Sequence, residues 1–198
     1  MPASDSYQCF AELTQHESEG TDYAVRVSWR PDSPLLVVAP HGGGIEAGTS
    51  ELAASIASDE HNLFTFDGLK RSGNRRLHIG SKRFDHPECL ELLTRCTVVL
   101  GVHGCLGERQ IYVGGLETQL MVRLIEELTS AGLPATSSVP AHLAGRDPLN
   151  ICNRGTRGRG AQLEITMDLR LRPVRARLAG AVRRALAAYL INDVSSCC

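Results

Sequence analysis

Two short stretches constrain the fold of this chain more than anything else in it. Leu35-Leu36-Val37-Val38-Ala39 and Val98-Val99-Leu100-Gly101-Val102 are unbroken apolar runs, and each leads into a histidine followed by glycine, at His41-Gly42 and at His103-Gly104. Successive side chains of a strand point to opposite faces, so a strand that is apolar at every position must be covered on both sides. Runs this short suit central strands better than buried helices. Leu35–Ala39 and Thr97–His103 are therefore predicted as strands inside a sheet with helices on both faces. Tyr23–Trp29, Asn62–Phe66, Gln110–Val113 and Gln162–Asp168 are further strand candidates.

Helical patterns fall between them. Thr49 or Ser50 can cap a helix running to about Ser58, and Pro87 can open another through Leu93. Leu116, Leu120, Leu124 and Leu128 recur every four residues ahead of Gly132. Val174, Leu178, Ala181, Val182, Leu186 and Tyr189 form the stripe of a last helix whose arginines face water. Alternating strands and helices predict a layered α/β fold. The 198 residues fit a single domain, 1–198, with roughly the first six and last six residues flexible.

Apolar residues make up 42% of the chain, enough to build a core, and the formal net charge of −1 gives the whole molecule no electrostatic preference. The charge is uneven, because residues 151–198 carry nine arginines against Glu164, Asp168 and Asp193. Such a segment suits a polyanion, either nucleic acid or an acidic polymer. There is no apolar leader, and no stretch nears the ~20 apolar residues of a membrane span, so a cytoplasmic protein is expected, released on lysis if phage-encoded. The seven cysteines are odd in number, irregularly spaced and without a CxxC pair. That speaks against a disulfide framework or a zinc ribbon and for a reducing compartment.

The chemistry-bearing residues sit at strand ends. Ligands of open α/β sheets bind outside the carboxyl ends of the strands, and there Leu35–Ala39 delivers Pro40-His41-Gly42-Gly43-Gly44-Ile45-Glu46. The glycines let the backbone turn tightly enough for His41 and Glu46 to converge. Imidazole plus carboxylate is a zinc-ligand pair that leaves room for water; a glycine-rich turn around a structural histidine is the alternative. The second strand delivers His103 in the same way, completing a possible three-ligand set. In Gln162-Leu163-Glu164-Ile165-Thr166-Met167 the apolar residues alternate with polar ones, so Glu164 faces away from Leu163, Ile165 and Met167. There it could take a proton from an activated water, or simply lie on a surface strand. Asn153-Arg154 offers an amide and a planar fork suited to a carboxylate, although a loop arginine in water is the commoner case.

These residues belong to an ordered series. It runs through His16-Glu17-Ser18-Glu19-Gly20-Thr21-Asp22-Tyr23, Ala39–Glu46 with Gly48-Thr49-Ser50-Glu51, Gly68-Leu69-Lys70-Arg71-Ser72-Gly73-Asn74, Leu77-His78-Ile79, Phe84-Asp85, Val102-His103-Gly104, Val113-Gly114-Gly115, Asn150–Arg154 and Gln162-Leu163-Glu164. In this series the chain resembles the poly-γ-glutamate hydrolases of phages and bacteria, relatives of the zinc carboxypeptidases. The resemblance implies a zinc-carboxypeptidase-like α/β domain with a mixed twisted sheet flanked by helices. It implies Zn2+ held by His41, Glu46 and His103, with Glu164 as general base. It also implies that Asn153 and Arg154 bind a substrate carboxylate, with His78 and Arg71 lining the cleft. The implied reaction is hydrolysis of a γ-glutamyl amide in a polyanionic polymer or peptide. A zinc peptidase acting on peptidoglycan or other carboxylate-bearing peptides is the alternative within the same chemistry. A phage replication-associated nucleic-acid-binding protein is the alternative outside it. That last reading has the basic segment in its favour but no helix-turn-helix, zinc finger, Walker loop or aromatic RNA-binding motif.

Overall fold

The structure is a computed structural model that describes residues 5–171 and 173–195. Of the ends expected to be flexible, 1–4 and 196–198 lie outside the described residues, the Cys197-Cys198 tail with them, while residues 193–195 are described as the end of the last helix. Asp5 and Ser6 are described, and Asp5 is bonded into the body of the protein, as shown below. The described cysteines, Cys9, Cys89, Cys96, Cys105 and Cys152, are free.

Seven strands make one mixed sheet: β1 (Tyr23–Ser28), β2 (Leu35–Gly43), β3 (Asn62–Gly68), β4 (Val98–Cys105), β5 (Ile111–Gly115), β6 (Ala135–Thr136) and β7 (Ala161–Thr166), in the order β1-β3-β2-β4-β7-β5-β6. The four inner strands β3, β2, β4 and β7 are parallel. β1 and β5 run antiparallel to β3 and β7, and β6 is parallel to β5. The helices are α1 (Phe10–Leu13), α2 (Thr49–Ala57), α3 (Pro87–Leu93), α4 (Thr118–Ser130), α5 (Met167–Arg170) and α6 (Val174–Ser195). Among the described residues no helix is long and apolar enough to cross a membrane.

The apolar runs divide between two cores, as strand alternation requires. Leu35, Val37, Ala39, Leu100, Val102, Leu163 and Ile165 face α2, α4 and α6 through Leu52, Ile56, Leu120, Leu124, Leu178, Val182 and Leu186. Leu36, Val38, Val99, Phe64 and Phe66 face the other way, against Leu13, Phe84, Leu92, Leu93 and Ile151. Gln162, Glu164 and His103 alternate with the first set, so they share the second face.

Several boundaries differ from the sequence pattern, each for a local reason. β2 runs past Ala39 to Gly43, because the glycine stretch still pairs with β3 after a register shift between Ala39 and Gly42. β7 stops at Thr166 rather than Asp168: the Thr166 hydroxyl donates to Asp168 Oδ1 at 2.7 Å, and a helical turn starts at Met167. Met167 therefore leaves the alternation and is 52% exposed. α4 begins after Leu116, with the Glu117 carboxylate accepting from Gln119 N, and Gly132 follows its end in the left-handed region at φ +69°.

Candidate active site

The site is built at the carboxyl ends of β2, β4 and β7. In β2 the register shift works as a bulge that re-aims the Pro40-His41 stretch. Gly42 is needed there, because a β-carbon would run into Ser50 Oγ and Asp67 Oδ1. Those two groups are hydrogen-bonded to each other, and Asp67 also accepts from Arg26 at 3.0 Å and from the Thr65 hydroxyl at 3.2 Å. The loop then folds back on itself: Glu46 N donates to His41 O at 2.9 Å, and the Thr49 hydroxyl donates to Glu46 O at 2.9 Å. Thr49 is thus the third residue after Glu46 in a closed turn, with Gly48 at the N-cap position instead of Thr49 or Ser50.

This turn brings Glu46 back against His41, and β4 brings His103 to His41 and the Gly104 N–H to Glu46. His41 Nδ1 lies 3.4 Å from Glu46 Oε1 and 3.3 Å from His103 Nδ1, while Gly104 N donates to Glu46 Oε2 at 2.7 Å. Both imidazoles are 2% exposed. His41 Nε2 faces the Ile79 carbonyl at 2.8 Å. A carbonyl only accepts, so Nε2 carries the proton, and in the neutral ring Nδ1 presents its lone pair to a carboxylate oxygen and a second imidazole. Such a meeting is repulsive unless a proton or a metal cation stands between the groups. Donor atoms that share a tetrahedral ion at about 2.0–2.1 Å lie about 3.3 Å apart, so the His41–Glu46 and His41–His103 separations each fit one. Burial and the neighbouring His41 lower His103 to about 3, which keeps it in the neutral form that ligates metals. Without a metal the same demand is met by a proton: burial alone would raise Glu46, but a charged His41 donating to it, then His103 and the Gly104 N–H, outweigh burial and hold the carboxyl at about 2.

His78 stands beside this cluster. Donor atoms of His41, Glu46 and His78 all lie within 4.8 Å of one another, so His78 competes with His103 for a place in a metal site. Its ring stacks on His41 with centroids 4.0 Å apart and planes 27° from parallel. A ring nitrogen's lone pair lies in the ring plane, so an ion in the plane of His41 sits off the plane of His78. His103, tilted 55° to His41, has no such conflict. Burial, then the His41 charge, lowers His78 to about 4.

Glu164 pairs with His103 in register across β4 and β7, and it is 8% exposed. Burial and the nearby Glu46 raise its carboxyl well above the ordinary glutamate range. Gln162, two residues earlier on the same face, donates to Glu164 Oε1 at 3.1 Å and to Leu143 O at 2.8 Å, and Asn150 donates to Gln162 Oε1 at 3.0 Å. Sequence reasoning missed Gln162 as a partner, although period-two alternation marks it. Arg170 was also missed: it is 4% exposed, donates to Ala47 O at 2.8 Å, and lies where a Gly104 β-carbon would point.

The remaining candidates do not converge on the cluster through any bond. Asn153 is 1% exposed, donates to Gly145 O and Asp147 O at 2.7 and 2.9 Å, and accepts from Gly160 N at 3.1 Å. It holds its own loop together. Arg154 is half-buried and donates to Phe84 O at 2.9 Å. Arg71 is exposed in the loop after β3. Much of the basic last quarter is neutralised internally, with Arg159 on Glu117, Arg183 on Glu60 and Arg184 on Glu127.

A family model described as poly-gamma-glutamate hydrolase matches residues 7–177. The chain belongs to the poly-γ-glutamate hydrolase family. Among its relatives is the UPF0714 protein YndL of Bacillus subtilis (strain 168), 42% identical over 170 residues, which are 85% of this chain and 66% of YndL. The SPbeta prophage-derived UPF0714 protein YoqZ of the same strain is 37% identical over 170 residues, 85% of this chain and 61% of YoqZ. The chain thus spans less than two thirds of the length of these two curated relatives. Among solved structures, a bacteriophage poly-γ-glutamate hydrolase superimposes with a TM-score of 0.90 at 31% identity, covering 94% of this chain and 99% of that one. A zinc-free form of YndL gives 0.86 at 35% identity, covering 93% and 98%. A carboxypeptidase-like structure from Shewanella denitrificans OS-217 gives 0.56 at 11% identity, covering 86% and 61%, a likeness of fold. Both the family and the mixed α/β sheet expected from the sequence are thereby established.

Proposed function

We propose that this member of the hydrolase family is a zinc-dependent amidohydrolase cleaving γ-glutamyl amide bonds, with poly-γ-glutamate as its substrate. The observation that carries the reading is the convergence of two imidazole Nδ1 atoms and a carboxylate at 3.3 and 3.4 Å, one strand away from a buried glutamate. His41, Glu46 and His103 would hold the zinc, which when bound supplies Lewis acidity toward the amide carbonyl and a more acidic water. That a relative's structure is described as zinc-free supports the choice of metal.

The chain's own groups account for the proton. Hydrolysis joins the water oxygen to the carbonyl carbon, breaks the C–N bond and needs a proton on the departing nitrogen. With zinc bound, its positive charge would favour the ionised carboxylate, and Glu164 then accepts that proton from water and passes it to the nitrogen, so its carboxyl returns to its starting state. Gln162 fixes the oxygen Oε1 by its 3.1 Å hydrogen bond, leaving Oε2 for the transfer. A γ-linked polymer carries an α-carboxylate on every residue. Exposed Arg71, and the N–H groups of Arg154 other than the one on Phe84 O, are cationic partners for such carboxylates.

The test is a side-by-side digest of γ-polyglutamate, α-polyglutamate and muropeptides with zinc present, read by mass spectrometry, together with metal analysis of His41→Ala. Cleavage of the γ-polymer and loss of zinc from the variant are expected. Cleavage of only the α-polymer or muropeptides would overturn the substrate and leave a zinc peptidase. Unchanged zinc content in His41→Ala would overturn the metal site.

A further inference from the structure

We propose that Asp5 is a positioning residue of the active site, with one carboxylate fixing the ring of His78 and bracing the carbonyl that orients His41. The inference rests on the metal-site reading above and adds to it a residue 36 positions upstream of His41, in a segment the sequence pattern assigned to a mobile end. Asp5 also precedes residues 7–177, the stretch matched to the family.

The geometry is a two-pronged grip. His78 Nδ1 donates to Asp5 Oδ1 at 2.6 Å, and Gly80 N donates to Asp5 Oδ2 at 2.8 Å. Residues 78 and 80 are therefore held from the same side, and between them lies Ile79, whose carbonyl accepts from His41 Nε2 at 2.8 Å. A rotation of the Ile79 peptide would have to break one of the two bonds to Asp5. The carboxylate is only 10% exposed, so neither bond is readily exchanged for water.

The same grip decides the state of His78. A carboxylate only accepts, so the His78 proton resides on Nδ1 and Nε2 is left as a lone pair. With Nδ1 committed, Nε2 is the ring atom left unprotonated, on a ring that offers a donor within 4.8 Å of those of His41 and Glu46. Without Asp5 the ring could turn or change tautomer, and its stack on His41 would lose its fixed edge.

Asp5 is itself anchored. Arg83 pairs with Asp5 and with Gln8 Oε1. The Tyr7 hydroxyl, on a ring that is 3% exposed, donates to Glu17 at 2.6 Å, and Phe10 N donates to Asp85 Oδ1 at 2.6 Å. Residues 5–10 are thus fastened to the 78–85 loop at both ends, and the grip on Ile79 is part of a continuous seam.

Residues that orient metal-bound histidines typically change metal affinity or activity by about 10–100-fold when removed. The experiment measures zinc affinity by competition with a chromogenic chelator for the parent protein, Asp5→Ala, Asp5→Asn, Arg83→Ala and His41→Ala. Ring nitrogen shifts of His78 are followed by NMR in the zinc-free proteins. Asp5→Ala is expected to bind zinc about 10–100-fold more weakly and to lose the single Nδ1–H form of His78. Asp5→Asn, whose amide oxygen can still accept from one of the two donors, should fall between it and the parent and serves if the alanine variant does not fold. Arg83→Ala, which removes one anchor of Asp5 but leaves both donors on it, should fall between the parent and Asp5→Ala. Parent-like zinc affinity and an unchanged His78 ring in Asp5→Ala, or in Asp5→Asn if only that variant folds, would overturn the inference. His41→Ala separates the two layers: zinc retained there refutes the metal site, whereas zinc lost there but retained in the Asp5 variants refutes only the role of Asp5.

Discussion

The two ends of the same parallel strands carry similar residue types and very different arrangements. At the amino end, Ser33 precedes β2 and His61 precedes β3, with the Ser33 hydroxyl 2.9 Å from His61 Nδ1 and Asp32, Asp59 and Glu60 close by in sequence. A serine, a histidine and three acids look like the makings of a hydrolase. Yet the polar groups there have ordinary partners. Asn62 donates to Ser33 O and Leu35 O at 2.9 Å each and accepts from Arg30 N at 2.7 Å; Arg30 Nε donates to Asp59 O, and Glu60 pairs with Arg183. At the carboxyl end a lone pair faces a carboxylate, His103 Nε2 and Arg170 Nε are buried without partners, and Glu164 is buried beside another acid. The amino end is a set of closed turns; the carboxyl end is a set of unmet demands. Unmet demand at a converging point, more than residue type, separates a site from a strand terminus.

The sharpest way to break this contrast is to remove one proton acceptor at each end. Glu164→Gln should keep fold and zinc and lose turnover by about 10²–10⁴-fold, since an amide cannot take the proton. His61→Ala should leave kcat/KM within about twofold. A comparable loss at both ends would show that the amino end also takes part in the reaction.

A second comparison concerns packing. Gly104→Ala would push a methyl into the Arg170 guanidinium, and overpacking of this kind costs about 1–3 kcal/mol in denaturant unfolding. Ser33→Ala removes a hydrogen bond at the other end and should cost about 0.5–1.5 kcal/mol. A Gly104→Ala protein as stable as the parent would mean that Arg170 can move aside freely.

The smallest effect expected is on the pH dependence of the metal-free protein. His103 falls from 6.5 in the open chain to about 3 when folded, so the unfolded chain takes up its proton first. Stability is then complete above pH 6.5 and declines as pH drops toward about 3, with His78 acting alike toward about 4. Glu164 acts in the opposite sense: raised by burial, it keeps its proton when folded, so stability is greatest below about pH 4.5 and declines as pH rises. Glu164→Gln should flatten the decline on the alkaline side and leave the acid side unchanged. An unaltered alkaline limb in thermal unfolding would remove Glu164 from this account.

Much of this architecture can be read in the residues, and the limits are instructive. The apolar runs locate β2 and β4, and alternation places Glu164 on the face opposite Leu163 and Ile165, because burial on two sides leaves a strand no other register. His41, Glu46 and His103 come together because strand ends and a glycine turn have short reach. Asp5 and Arg170 carry no comparable mark. Asp5 acts across 73 residues, and nothing local says that the chain returns there. Asn153 and Arg154 show the converse: their types suit a carboxylate, but loop carbonyls at Gly145, Asp147 and Phe84 claim them first. Sequence pattern reports which groups are available and is silent about which are already engaged.

Arg170 has a consequence for anyone wishing to alter this site. Strand alternation puts the space beyond the Gly104 α-carbon on the side opposite His103, so the guanidinium stands behind the sheet while Glu46 and Glu164 feel its charge from the front. The sheet is one peptide thick, and it screens a charge far less than water does. Arg170 is therefore a rear-mounted control: changing its charge would retune the acids from behind, while its 2.8 Å bond to Ala47 O ties its length to the turn that carries Glu46. In such a fold, libraries aimed at catalytic tuning and libraries aimed at substrate choice can be drawn from opposite faces of the same strands.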